Sequence, residues 1–152
     1  MTVLPRARTL LAACVLWPAL TLAADPEQPA SHLTPREVVA AQLAALRENT
    51  PAGLARVFRF ASPANQAVTG PSARFALMLR EGYPDLLGHR SAHFGELLIN
   101  GEEAAQAVDI VDTAGRGHRY VFMLSRQAGG ACAGCWMTDG VVNAPGDDGV
   151  AI

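Results

Sequence analysis

The feature that most constrains this fold is a change of hydrophobic period close to residue 88. Upstream, apolar residues recur three and four apart behind helix-start signals. Downstream they fall into short segments near period two, separated by turn residues. A chain divided in this way gathers its helices on one side of a sheet made by consecutive strands, which is the α+β class. In the first half, Thr34 and Glu37 make a capping box. Pro35 sits in the first turn, where its missing N–H costs nothing, and Val39, Leu43 and Leu46 share a face. This predicts a helix to about Asn49. Thr50-Pro51 repeats the signal for a shorter helix carrying Leu54, Val57 and Phe58, residues 61–70 read as a loop, and Pro71 opens a third helix with Phe75, Met78 and Leu79 inward and Gly82 at its end. After Tyr83-Pro84 and the Gly88-His89-Arg90 corner, strands are expected at residues 92–99, 104–111, 118–125 and 135–142, with turns at Asn100-Gly101 and residues 112–117. The clearest alternation sets Tyr120, Phe122 and Leu124 against Arg119, Val121 and Met123. Tight turns between consecutive strands make the sheet an antiparallel meander.

The N-terminal segment stands outside this domain. Arg6 and Arg8 precede an uncharged stretch from residue 9 to residue 22, which ends in Ala23 and Ala24 before Asp25. The run is shorter than the roughly 20 apolar residues of a membrane span and is interrupted by Pro18, so it reads as a cleavable signal peptide over residues 1–24. Leu11-Ala12-Ala13-Cys14 matches a lipoprotein cleavage pattern, but only residues 9–13 would remain as the apolar region, below the usual minimum of about 7. The expected product is periplasmic or secreted and not stably inserted in a membrane. It comprises a flexible leader at residues 25–33, one domain at 34–142 and a disordered tail at 143–152. A domain of this size buries roughly two-thirds of its unfolded surface and needs no metal to fold. The 12 arginines of the chain fall to ten on cleavage, against 14 acidic side chains, and there is no lysine. Without a basic cluster to neutralise phosphates, nucleic acid is excluded as a partner.

Cys14 leaves with the signal, and the remaining pair, Cys132 and Cys135, lies in a glycine-rich frame where it is read as a disulfide or as two inert thiols. A redox C-x-x-C places its first thiol at a helix N-terminus, whereas Cys135-Trp136-Met137-Thr138 leads into a strand.

Several stretches carry a resemblance to a known family: residues 58–65 (FRFASPAN), Thr69-Gly70-Pro71, residues 86–91 (LLGHRS) and residues 134–141 (GCWMTDGV). Together they resemble the family designated DUF4864, over roughly residues 33–142. The layout of helices first, then a curved antiparallel sheet with a tryptophan in its last strand, is similar to the NTF2-like cone superfamily. The resemblance implies three helices packed on a curved sheet of about four strands, with a cavity at the wide end. It implies no activity, because that fold carries isomerases, cyclases, dehydratases and plain binding modules. Cys132 and the glycines before it depart from the family pattern.

In such a cavity the candidate ligand-binding residues are Arg59, Asn65, His89 and Arg90, at loops and corners, together with Trp136. Each of the first four also has a structural reading, as a helix-end charge, a turn hydrogen bond or a pin where the chain enters the sheet. Asp139 is the carboxylate embedded in the most apolar motif. It is either a general base with His89 or Arg90 as electrostatic partner, as in an isomerase or dehydratase, or the Asp-Gly of a turn or bulge. His89 and His93 form H-x-x-x-H, but on a strand their rings would lie roughly 13 Å apart, so no metal is expected. No cofactor motif is present. The leading expectation is a non-catalytic module that binds a small apolar or amphipathic ligand or a protein partner. The alternatives are the Asp139 enzyme and a structural homodimer formed through the sheet.

Overall fold

Three Ser/Thr-Pro steps set the helical half of the computed structural model, which describes residues 26–144. The expected signal peptide and residues 145–152 of the expected tail lie outside the described residues. Helix α1 (Pro35–Glu48) opens on the expected capping box, in which the Thr34 N–H donates to Glu37 Oε2 at 2.7 Å and Thr34 Oγ1 accepts from the Glu37 N–H at 3.3 Å. It closes on Asn49, whose left-handed backbone (φ 50°) is one that asparagine tolerates. Helix α2 (Pro51–Arg59) is capped by Thr50, whose Oγ1 accepts from the Gly53 N–H at 3.0 Å. Helix α4 (Ser72–Gly82) follows Pro71, and a 3₁₀ turn (Pro84–Leu86) leads to the sheet.

The segment expected as a loop at residues 61–70 contains a further helix, α3 (Pro63–Thr69), capped by Ser62 Oγ. Among the described residues, four α-helices therefore precede the sheet. None of the α3 side chains is buried, so the helix has no apolar stripe to announce it.

Strands β1 (Ser91–Asn100), β2 (Glu103–Val111), β3 (Gly117–Arg126) and β4 (Trp136–Ala144) form one antiparallel sheet in sequence order. Strand β4 thus includes residues 143 and 144, which were expected in the tail. Val108, Ile110, Tyr120, Phe122 and Leu124 point to one face and are almost fully buried against Leu46, Leu54 and Phe60 of the helical layer. The opposite face exposes Leu98, Met123 and Val142. The result is the curved α+β layout expected of a cone. Two bulges shape the sheet. Gly95 and Glu96 of β1 oppose Ala107 alone, and Asp139 of β4 is left between the pairs Leu124–Thr138 and Met123–Gly140.

Two segments tie the layers together. Phe60, Ala61 and Ser62, between α2 and α3, clip onto β4: the Ser62 N–H donates to Thr138 O and the Thr138 N–H donates to Phe60 O, both at 2.8 Å. Residues 26–33, expected as a flexible leader, lie against α2. Leu33 is buried, and Glu27 pairs with Arg56 at 2.9 Å and with Arg59 at 3.4 Å. Among the described residues, no helix is long and apolar enough to cross a membrane.

Candidate functional site

Helix α3 is tied to β4 through Asn65, and beside it a space between α3, α4 and the sheet stays partly open. It forms a cleft of about 430 Å³. Its wall is apolar: Leu46 comes from α1, Val57 from α2, Phe75 and Leu79 from α4, Leu86 from the 3₁₀ turn and Phe122 from β3. Val68, Met78, Tyr83 and Val141 also line it. Phe58 and Phe75 pack with ring centroids 5.2 Å apart and join α2 to α4 behind the cleft.

Polar groups line the side next to β4. Gln42 of α1 and Thr138 of β4 are each 2% exposed, and Thr138 Oγ1 donates to Gln42 Oε1 at 2.7 Å. Gln42 Nε2 reaches Val57 O only at 3.5 Å, the long limit of a hydrogen bond. Asn65 Nδ2 donates to Thr138 O at 3.1 Å, Thr69 Oγ1 donates to Asn65 O at 2.8 Å, and the Tyr83 hydroxyl donates to Val141 O at 2.9 Å. Most of these atoms serve the fold. The Gln42 amide is the one held loosely.

Of the residues singled out in the sequence, Asn65 and Asp139 line this cleft and the others do not. Asp139 is the bulged residue of β4. Its side chain is exposed and accepts from Ser125 Oγ at 3.0 Å, so the bulge reading describes its place and its carboxylate is turned to solvent. His89 is 3% exposed, and its Nδ1–H donates to Leu86 O at 2.8 Å. Burial lowers its pKa from the ordinary value, which keeps the ring neutral. Arg90 donates to Thr113 O at 2.6 Å, and Arg59 donates to Glu27 O at 3.1 Å. Both guanidinium groups therefore pin loops. Trp136 is a core residue, 9% exposed. The proposed partnership of Asp139 with His89 or Arg90 is not assembled, because the chain uses the last two at the corner before β1. Cys132 and Cys135 form a disulfide in the β3–β4 connection. His89 is buried at the corner before β1, and His93 is exposed on β1.

A charged cluster that the sequence reading missed lies at the β2–β3 turn. Asp112 accepts from the N–H groups of Ala114 and Arg116 at 2.8 Å each, from Arg116 Nε at 2.8 Å, and has His118 Nε2 at 3.0 Å. These contacts, led by the Arg116 backbone N–H, hold its carboxyl well below the usual carboxylate range. Asp85 approaches the same His118 at 3.4 Å, so three potential metal ligands converge. The Arg116 guanidinium already occupies the position of a cation against both carboxylates, at 2.8 Å from Asp112 and 3.6 Å from Asp85. The cluster locks a turn. Beside it, burial and then Asp85 push the Tyr120 phenol up to about 12, so it stays protonated.

An α+β domain with an apolar, helix-covered cleft is the class that fold and site define. The family model described as a domain of unknown function (DUF4864) matches residues 28–146, and the chain belongs to that family. No curated protein matches the chain.

Proposed function

We propose that this domain is a binding module which holds a small apolar or amphipathic molecule in the cleft between α3, α4 and β4 and does not transform it. The observation that carries this reading is the cleft itself, an apolar space in the size range of small-molecule sites with a few polar groups gathered on one side. The direction of Asp139 and the remote positions of His89 and Arg90 support binding over proton abstraction. The Cys132–Cys135 bridge supports an oxidising compartment, and so the periplasmic or secreted location expected from the N-terminal segment.

The test is titration of the mature protein with N-phenyl-1-naphthylamine, a neutral apolar fluorophore. Saturable one-to-one enhancement is expected, and Ala64→Trp, a substitution in the first turn of α3 beside the cleft, should abolish it. An enhancement that Ala64→Trp leaves intact, or no enhancement at all, would refute the reading. A second reading, a homodimer through the outer sheet face, is favoured by the exposed Leu98, Met123 and Val142. Light scattering that finds a monomer at every concentration removes it.

A further inference from the structure

The chemistry of the cleft lining narrows what it can hold. We infer that the ligand is uncharged and carries one hydrogen-bond acceptor, such as a carbonyl, directed at the Gln42 amide while the rest of the molecule fills the apolar wall. This rests on the cleft being a ligand site, and it deepens that reading.

Three observations lead to it. The lining contains no arginine or histidine, and its ionisable side chains are Tyr83 and Asp139. Tyr83 donates to Val141 O, and Asp139 is exposed and engaged with Ser125. An anion in the cleft would be desolvated with no counter-ion, and a cation would find no carboxylate turned towards it. The ligand is therefore neutral.

The second observation is the state of the Gln42 side chain. Its Oε1 is taken by the Thr138 hydroxyl at 2.7 Å, whereas its Nε2 has only the 3.5 Å contact with Val57 O. The reverse orientation of the amide would set Oε1 against the Val57 carbonyl, two acceptors facing each other, so the N–H side is fixed where it is. An amide nitrogen carries two donors, and this one is 2% exposed on a cleft-lining residue with a single long bond. What its second N–H lacks is an acceptor.

The third is volume. At a packing density of about 0.75, a space of about 430 Å³ accommodates a ligand on the order of 15 non-hydrogen atoms, the size of a two-ring compound or a medium-length chain.

The experiment measures displacement of N-phenyl-1-naphthylamine by three compounds sharing one ring system: naphthalene, 2-acetylnaphthalene and 2-naphthoate, at pH 7.5. The ketone is expected to bind severalfold more tightly than naphthalene and at least tenfold more tightly than the carboxylate. The double substitution Gln42→Leu with Thr138→Val should erase the advantage of the ketone over naphthalene and leave naphthalene binding in place. Met78→Lys brings a cation to the half-buried Met78 position of the lining, at the margin of the core, and should raise the affinity for 2-naphthoate at least tenfold. Equal or tighter binding of 2-naphthoate to the unaltered protein overturns the inference. So does a ketone no better than naphthalene. Either result leaves the binding module intact, whereas failure of the fluorophore to bind refutes that module itself.

Discussion

The bond between Thr138 and Gln42 allows a sharp test of how the cleft floor is held. The two residues are 96 positions apart and join α1 to the last strand at 2.7 Å, each only 2% exposed. In Thr138→Val the shape is kept and the hydroxyl lost, so Gln42 Oε1 becomes a buried acceptor with no donor. In Gln42→Leu it is the Thr138 hydroxyl that is stranded. Leaving one such neutral group unmade costs about 1–3 kcal/mol. For a domain of this size about 1 kcal/mol corresponds to about 4 °C in Tm, so each single variant should melt roughly 4–12 °C lower. The double variant removes both polar atoms together and leaves nothing unpaired. Its loss should therefore be smaller than the sum of the single losses by about 1–2 kcal/mol. Urea unfolding of the four proteins, followed by far-UV circular dichroism, measures the cycle. Additive losses, or single losses below about 0.5 kcal/mol, would show that the pair is not the buried, mutually satisfied contact described.

Glycine substitutions should split by sign. In Gly53→Ala the new Cβ would stand 2.7 Å from the Ala45 carbonyl oxygen of α1, so the usual gain for alanine in a helix becomes a loss of about 1–3 kcal/mol as the helices separate. Gly82→Ala meets nothing within 4 Å and should stabilise by about 0.5–1 kcal/mol, both changes being read from thermal melts. His89 predicts a pH dependence. Its folded pKa is lowered, so below about pH 6.5 the unfolded chain takes up more protons than the folded one, and stability present above that pH is lost on acidification. His89→Asn, which retains a donor for Leu86 O, should flatten the fall in Tm between pH 7.5 and 5.5, and an unchanged slope would assign it to other groups. Replacing Cys132 and Cys135 by serine opens a loop with a sequence separation of 3 and should cost about 2 kcal/mol in urea unfolding while leaving fluorophore binding unchanged.

Much of the fold was legible because local signals and burial agree. The capping box, the Thr50-Pro51 start and all four strands fall within two residues of their expected positions. Helix α3 was missed because periodicity records burial, and α3 buries nothing; Val68 on it is 74% exposed. The available signal was Ser62-Pro63, the same step that starts α1 and α2. For the site, the expected residues were polar groups at corners, and most of them prove to be busy holding those corners. Gln42 was overlooked because a glutamine in a helix reads as its solvated face. Yet it lies four residues from both Val38 and Leu46, in the middle of the buried stripe, and a polar residue there needs a partner that no local pattern reveals. Its partner comes from β4, through a register that the sequence does not encode locally.

The two bulges have a consequence for how this protein behaves at high concentration. Strands β1 and β4 are the outer members of the sheet, the places where a stray strand from another molecule could add itself to the ladder. Each is broken midway, and at each break stands an exposed acid, Glu96 on one side and Asp139 on the other. A neighbouring backbone would have to follow a kink and accept a charge at the same point. Along β4 it would also have to displace the Phe60–Ser62 clip. Asp139 thus stands where it opposes growth of the sheet: the bulge that takes it out of the ladder also sets a charge in the path of an added strand.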